Sequence, residues 1–155
     1  MCLAAAGGKE CVVMIRKFKE DDLNTVMQIW FDTNIKAHHF ISRQYWIDNY
    51  EMVKDILPKK EIYVYEDDNI NQINGFIGLM DNYIAGIFVN KNNQSRGIGK
   101  QLLDYVKEIK ETLNLSVYQK NIRAISFYQR EQFIIQSEHI DNDNNEKEFI
   151  MIWSK

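Results

Sequence analysis

Apolar side chains recur along the chain with two different periods, and these periods predict its secondary structure. A spacing of three to four residues indicates helices with one apolar face. This spacing predicts helices over residues 21–33, 43–56, 100–112 and 121–131, and Pro58 follows the end of the second one. Most of the remaining apolar residues lie in short runs between these helices.

Those short runs alternate with polar residues or are continuously apolar, which is typical of β-strands. Clusters of Asp and Asn mark turns between consecutive strands at 67–69, 81–82 and 141–145. The predicted strands are 12–18, 61–66, 73–80, 83–89, 115–118, a strand that starts at Phe133, and 149–153.

The elements follow one another in the order β α α β β β α β α β β. Three strands joined by tight turns predict an antiparallel meander, whereas a helix between two strands predicts a parallel pair. We therefore expect an α/β protein of the α+β type. Its sheet should be mixed, mostly antiparallel and seven-stranded, with helices on both faces.

The composition indicates one packed domain. The chain has 155 residues, of which 45% are apolar, and this length suits a single domain. Residues 1–13 differ from the rest, because they are rich in Ala and Gly and hold both cysteines, Cys2 and Cys11. We expect them to be an N-terminal extension or a cloning remnant, and residues 14–155 to be the domain.

Charge and residue types disfavour several classes of function. The formal net charge of −3 does not suit a nucleic-acid partner and slightly favours a cationic substrate. No apolar run has the length of a membrane span and no secretory signal is recognisable, so we expect a cytoplasmic protein without a membrane partner. With no cysteine in 14–155, and only His38, His39 and His139, we expect no metal site. The oligomeric state stays open.

The junction between the strand 83–89 and the helix 100–112 carries candidate chemistry. Its glycines, Gly97 and Gly99, let the backbone approach a ligand closely. Unpaired N–H groups at a helix start favour an anion, and phosphate is the natural guest. A dinucleotide fingerprint would need glycine where Leu102 stands, and a P-loop would need serine or threonine after the lysine. Neither nucleotide-binding motif is therefore present.

Two motifs at their mutual spacing resemble the GNAT superfamily of N-acetyltransferases. Either motif alone would be weak, but together with the element order they extend the resemblance over residues 14–155. The N-terminal half resembles a branch of small bacterial members often labelled protein-lysine acetyltransferases. The two motifs are Gln94-x-x-Gly97-x-Gly99 and Asn121-x-x-Ala124-x-x-Phe127-Tyr128.

The resemblance implies acetyl-CoA as co-substrate. In the family the glycine loop holds the pyrophosphate, the edge of the fourth strand pairs with the pantetheine arm, and the asparagine helps to hold the cofactor. The cofactor-binding residues implied in this way are Ile87, Phe88, Val89, Ser95, Arg96, Gly97, Ile98, Gly99, Lys100 and Asn121.

Tyr128 matches the usual general acid of the family. A phenol with an ordinary pKa of about 10 is protonated at neutral pH and can donate its proton to a departing thiolate. The chain departs from the family at Ser116, where many members carry a glutamate that acts as the base on the substrate ammonium. The base therefore stays open. A second departure is Gln132-Phe133, where the family usually has Gly-Phe.

The residues on the acceptor side have alternative interpretations. The resemblance places His38 and His39 beside the acceptor cleft, where they could bind or deprotonate an amine, or form a solvated pair in a loop. Trp46 could belong to an aromatic wall around a cation, or to the core. The acceptor stays open and could be a protein lysine, an N-terminal amine or a small amine. The partner would accordingly be a peptide, a protein or a small molecule.

The expected function is direct transfer of an acetyl group from acetyl-CoA to a primary amine. The main alternative is a catalytically silent module on the same fold, which binds acyl-CoA as a sensor or interaction domain. The serine at position 116 supports this alternative, because serine cannot act as a base unaided. A transferase of longer acyl chains is a third possibility.

Overall fold

The computed structural model describes residues 13–67, 70–94 and 96–155, so most of the extension predicted for residues 1–13 lies outside the described residues. Within these ranges the chain forms seven strands and four α-helices in the order that the sequence predicted. No helix of this part of the chain is long and apolar enough to cross a membrane. The elements are β1 (Val13–Lys17), α1 (Leu23–Ala37), α2 (Arg43–Ile56), β2 (Glu61–Asp67), β3 (Gln72–Met80), β4 (Tyr83–Val89), α3 (Ile98–Ile109), β5 (Thr112–Tyr118), α4 (Ile122–Arg130), β6 (Ile134–Asp141) and β7 (Glu146–Ser154).

The strands form one sheet in the order β1-β2-β3-β4-β5-β7-β6. Strands β4 and β5 run parallel, and every other neighbouring pair is antiparallel. The parallel pair is the one that α3 connects, as expected for a crossover. These findings confirm the mixed, mostly antiparallel sheet predicted from the sequence.

Helices cover both faces of the sheet, and each face has its own apolar core. Successive side chains of a strand point to opposite faces. Ile62 and Val64 of β2 accordingly pack into the core shared with α1 and α2. Tyr63 and Tyr65 pack into the core shared with α3 and α4.

Both ends of α3 lie earlier in the chain than predicted. The helix begins at Ile98 because Gly97, with a φ of 78°, adopts the left-handed conformation and forms the N-cap. It ends at Ile109. Thr112, predicted as the last residue of the helix, is instead the first residue of β5, because it pairs with Ser154 of β7. Long-range strand pairing therefore overrides the helical periodicity at this end.

The sheet is interrupted between β4 and β5. These strands pair only at Tyr83 with Asn114 and at Ile84 with Leu115. The next residue, Ala85, is an extra residue opposite β3, since the register shifts between the pairs on either side of it. A bulge of this kind bends a strand and increases its twist. The later halves of β4 and β5 therefore diverge and leave a split in the sheet.

Candidate active site

The split opens into a cavity of about 770 Å³. It is lined by the end of α1, the last residues of β4, the first turn of α3 and one side of α4. Phe88 packs against the core on the α1–α2 face, whereas Ile87 and Val89 pack against the core on the α3–α4 face. Because all three line the cavity, it connects the two faces of the sheet.

The described residues that line this cavity carry mostly positive charge. Their single carboxylate is Glu131, which forms an ion pair with Lys100 at 3.2 Å. The charge of the cavity is thus opposite in sign to the net charge of −3 of the whole chain. A polyanionic ligand therefore fits it better than a cationic one. The cationic lining residues are Lys36, Lys100, Lys120, Arg123 and Arg130.

The glycine junction forms the end of the cavity that suits an anion. The first hydrogen bond within α3 runs from the Gln101 N–H to the Gly97 carbonyl at 3.0 Å, so the N–H groups of Ile98, Gly99 and Lys100 have no partner inside the helix. A Cβ atom added to Gly97 would meet no heavy atom within 4 Å. The space beside this turn is therefore open to a ligand, and the helix dipole favours a negative one.

The other predicted residues of this junction have different positions. Ser95 lies outside the described residues. Arg96 is exposed and is not among the residues that line the cavity. The Lys100 ammonium group is 3.0 Å from Asp104 and 3.2 Å from Glu131, so two carboxylates already hold it.

Strand β4 presents backbone groups to the split at every second residue. The Asn90 N–H donates to the Asn74 carbonyl at 2.8 Å. The pairing of β4 with β3 continues without a register shift from this point back to Ile87. By the alternation of an antiparallel ladder, Phe88 then directs its N–H and C=O to β3. Ile87 and Val89 direct theirs to the split. A ligand that pairs with this edge would therefore meet the backbone of Ile87 and the N–H of Val89.

A side-chain bridge joins the two lips of the split, and the sequence did not predict it. Gln94 donates from Nε2 to the Val89 carbonyl at 3.0 Å and accepts at Oε1 from Arg123 Nη1 at 3.1 Å. Gln94 follows β4, whereas Arg123 lies in the first turn of α4, beyond β5. The glutamine belongs to the recognised motif, but the arginine had no signal except its place near the N-terminus of a helix.

Asn121 is the N-cap of α4 and faces the cavity. Its side-chain oxygen accepts from the Ala124 N–H at 3.2 Å, which satisfies one of the free donors of the helix. The amide nitrogen of the same side chain lies 3.2 Å from Nε2 of His38. One predicted cofactor-side residue and one predicted acceptor-side residue are therefore in direct contact.

Tyr128 lines the same cavity seven residues further along the chain. The side chain is buried, and its ring packs against Phe127 and Phe133. Burial raises the pKa of the Tyr128 phenol above its ordinary value, and the nearby Tyr83 phenol adds to this shift. The hydroxyl therefore keeps its proton throughout the neutral range, as a general acid must.

His38 lies at the C-cap of α1, inside a box of aromatic rings. Its ring stacks on Trp46 with the ring centroids 5.4 Å apart. The rings of Phe40 and Tyr118 pack in T-shaped geometry, with their centroids 5.7 and 5.2 Å from that of His38. Burial in this box lowers the pKa of His38 to about 4, although hydrogen bonding to the Asn34 backbone opposes part of the shift. The imidazole is therefore neutral at physiological pH.

The other two predicted acceptor-side residues do not reach the cavity. His39 is exposed and packs against the edge of Phe40 at 5.5 Å. Trp46 is only 7% exposed and belongs to the core beneath His38. Of the two interpretations given for Trp46, its position therefore fits that of a core residue.

The turn predicted at 141–145 joins β6 to β7 and packs beside the aromatic box around His38. Tyr118 donates to Asp141 at 2.8 Å, and Tyr45 donates to Asp143 at 3.2 Å. Burial, with the Asp143 carboxylate, raises the pKa of Tyr45 to about 12. These two bonds fasten the hairpin to β5 and α2, and so hold the ring of Tyr118 against His38.

Ser116 stands on β5 opposite Ile150 of β7 and is not among the cavity-lining residues. The only carboxylate of the described lining, Glu131, is engaged with Lys100. No described carboxylate of the cavity is thus placed to take the role of the family glutamate.

The fold of this chain is that of solved N-acetyltransferase structures. The solution structure of apo YjaB from Escherichia coli matches with a TM-score of 0.81 and 20% identity, covering 92% of this chain and 97% of that one. The PaiA N-acetyltransferase of Thermoplasma acidophilum, solved with coenzyme A, matches with a TM-score of 0.78 and 20% identity, covering 93% and 99%. At these identities the likeness concerns the fold alone.

The chain belongs to the GNAT acetyltransferase family. The family model for the acetyltransferase (GNAT) domain matches residues 58–135. The peptidyl-lysine N-acetyltransferase YiaC of Escherichia coli (strain K12) is 34% identical over 142 residues, which are 90% of this chain and 96% of YiaC. The family, the fold and the N-acetyltransferase class predicted from the sequence are thereby confirmed.

Proposed function

We propose that this enzyme transfers an acetyl group from acetyl-CoA directly to the amine of a lysine side chain in a peptide or protein. The observation that carries the proposal is the cation-lined cavity through the split, which reaches from the helix start at Gly97 to Tyr128. The name of its relative YiaC, a peptidyl-lysine N-acetyltransferase, supports the choice of acceptor.

The residues of the cavity fit the pyrophosphate and the pantetheine arm of coenzyme A. The open space at Gly97 and the free N–H groups of Ile98, Gly99 and Lys100 suit the pyrophosphate. Arg123 at the mouth of the split can add a charge-assisted hydrogen bond to phosphate. The backbone edge at Val89 suits the amide groups of the pantetheine arm, which would pair with it as an added strand.

Acetyl-CoA, when bound, supplies an activated thioester at the bottom of the split. The Val89 N–H is directed there and would stabilise negative charge on the carbonyl oxygen during attack. A bond then forms between the amine nitrogen and the acetyl carbon, and the bond between carbon and sulfur breaks. Tyr128 gives its proton to the departing sulfur. The nitrogen loses one proton to water, and water reprotonates the phenolate, so protons balance.

A peptide acceptor agrees with the shape of the site. The cavity opens on both faces of the sheet, so the thioester and the amine can approach from opposite sides. On the α1–α2 side the cavity is lined by the end of α1, including Ala37 and His38. A long, unbranched lysine side chain can extend through this opening while its peptide stays outside.

Two measurements on the full chain test the proposal. Calorimetric titration with acetyl-CoA should show binding that adenosine diphosphate reproduces only weakly, because the pantetheine arm contributes. Release of coenzyme A should then depend on a lysine peptide and should leave acetyl-lysine in the product. Absence of acetyl-CoA binding by the folded protein would refute the proposal. Binding without turnover on any amine would favour the silent acyl-CoA-binding module instead.

A further inference from the structure

We propose that His38 is the residue that receives the acceptor amine: its Nε2 accepts a hydrogen bond from the uncharged amine and directs the nitrogen lone pair toward the thioester. His38 thereby selects the neutral amine and does not itself remove the proton from an ammonium. This proposal rests on the proposed function, and it gives the acceptor amine a hydrogen-bond partner in a site that has no counterpart of the family glutamate.

The hydrogen bond with Asn121 indicates the tautomer of His38. The Asn121 oxygen accepts from the Ala124 N–H at 3.2 Å, so the amide nitrogen is the atom that faces the histidine. That nitrogen can only donate. Nε2 of His38 is therefore the acceptor, and the ring proton resides on Nδ1, which is buried. In the free protein Asn121 engages the single lone pair of Nε2, so the acceptor amine would replace the Asn121 amide there.

The ring of His38 lines the cavity from the side of α1. His38 belongs to the α1–α2 side of the sheet, whereas Tyr128 and the glycine junction belong to the α3–α4 side. All of them line one cavity. An amine that bonds to Nε2 would thus stand across the split from the cofactor side, which is the arrangement that direct attack requires.

The charged groups around the ring of His38 do not favour an ammonium. Lys36 of α1 and Lys120 after β5 line the same cavity, and Lys120 lies 5.5 Å from the centroid of the Phe40 ring. Lys120 pairs with Glu146 of the hairpin at 3.0 Å, and Asp141 of the same hairpin is bonded to the Tyr118 hydroxyl at 2.8 Å. Among the described residues no carboxylate bonds to His38, and the carboxylate of the cavity lining, Glu131, pairs with Lys100.

The aromatic box explains why His38 accepts a hydrogen bond without acting as a base. With a pKa lowered to about 4, the ring is a far weaker base than a lysine amine, whose ordinary pKa is about 10.4. Proton transfer from an ammonium to this ring would be strongly unfavourable. A hydrogen bond from a neutral amine has no such penalty, because both partners stay uncharged.

Three variants of the full chain separate these roles. His38→Phe keeps a ring in the box but has no acceptor, whereas His38→Gln places an amide oxygen near the position of Nε2. His39→Phe is the matched control, because it removes an exposed imidazole outside the cavity. The assay uses a lysine peptide with a blocked N-terminus and measures KM for the amine, kcat, and the Kd of acetyl-CoA.

We expect His38→Phe to raise KM for the peptide about tenfold, as for loss of one hydrogen bond to a buried partner, with the Kd of acetyl-CoA unchanged. His38→Gln should recover most of the loss, and His39→Phe should behave as the wild type. An unchanged peptide KM in His38→Phe, while the wild type is active, would overturn this proposal and leave the proposed function intact. Loss of acetyl-CoA binding in His38→Phe would also overturn it, since His38 would then act through Asn121.

The pH profile supplies a second criterion. If only the neutral amine is accepted, kcat/KM for the lysine peptide should rise about tenfold per pH unit between pH 7 and 9, following the uncharged fraction of the amine. A flat profile over this range would show that the ammonium binds and is deprotonated in the site, which contradicts the proposal. A wild type that fails to bind acetyl-CoA at all would overturn the proposed function, and this inference with it.

Discussion

The carbonyl oxygen of Tyr128 accepts a hydrogen bond from the N–H of Phe133 at 2.9 Å, and the two rings pack with centroids 5.4 Å apart. With the bond from the Gln132 N–H to the Gln129 carbonyl at 3.0 Å, this is a Schellman motif at the end of α4. The motif needs a left-handed residue, and Gln132 supplies it with a φ of 71°. The turn is thus built as a glycine would build it, although the sequence has glutamine.

Gln132→Gly should therefore stabilise the protein. Glycine adopts the left-handed conformation without the steric penalty of a Cβ atom, so we expect the free energy of unfolding to rise by about 1 kcal/mol. Denaturant unfolding measures this change, and turnover should stay as in the wild type because the backbone of Tyr128 keeps its position. Lower stability of the glycine variant would contradict the strain argued for Gln132.

Tyr128→Phe should lower kcat about 100-fold and leave the Kd of acetyl-CoA unchanged, because only the proton donor is removed. Burial raises the pKa of Tyr128, so the wild type should keep its acid form and show no loss of kcat on raising the pH to about 10. Steady-state kinetics and calorimetry measure the two effects. The control is Tyr105→Phe, which removes the hydroxyl of a tyrosine that is 37% exposed and lies outside the cavity. Equal turnover of the two variants would remove Tyr128 from the mechanism.

Substitutions at Gly97 should weaken the binding of acetyl-CoA in proportion to their size and charge. Gly97→Ala adds a Cβ atom where φ is 78°, and this atom would occupy the open space beside the helix start. We expect an affinity about tenfold lower and a stability about 1 kcal/mol lower. Gly97→Glu should abolish binding, because a carboxylate would meet the phosphates. Calorimetry on both variants, with their thermal unfolding recorded in parallel, tests this; retained affinity in Gly97→Glu would refute the anion cradle.

Asp22 should make the stability of the fold depend on pH at the acid end. Burial alone would raise the pKa of this carboxyl, but the Arg16 guanidinium at 2.8 Å and the Lys19 N–H at 2.8 Å outweigh it, so the pKa is lowered. A lowered pKa means that the contribution to stability is present above the ordinary value of about 4 and is lost as the pH falls below it.

Asp22→Asn should therefore reduce the free energy of unfolding by about 2 kcal/mol at pH 7, and by less at pH 3. Urea unfolding at both pH values measures the difference. Asp21→Asn is the matched control, since Asp21 is the preceding residue and its side chain is exposed. The same deficit at pH 7 and pH 3 would show that the Arg16 pair does not cause the effect.

Local rules were sufficient for the order of the elements and for much of the candidate site. Apolar periodicity depends only on neighbours in the chain, so it located all seven strands and four helices of the described residues. The glycine junction was also readable, because the close approach of a backbone to a ligand favours glycine. The capping role of Asn121 came only from the structure, since the predicted helix 121–131 included this residue. The predicted element boundaries were wrong where pairing with another strand decided the structure, as at Thr112.

The charge of the whole chain was a poor guide to the charge of its cavity. A net charge of −3 favoured a cationic ligand, yet the described lining carries several cations and one carboxylate. Net charge sums over the entire surface, whereas a cavity selects a few side chains from distant elements. Lys36 and Arg130, for example, share one cavity only because α1 and α4 meet at the split.

The sequence by itself determined which helices and strands form, that two glycines stand where a helix begins, and that Tyr128 follows Asn121 at a spacing of seven residues. Only the tertiary structure decided that β4 and β5 part after two pairs, and that His38 meets Asn121 across 83 positions while Trp46 lies behind it. The reason is that periodicity and capping are short-range. The contacts that make a site depend instead on how the sheet is paired and which core each helix covers.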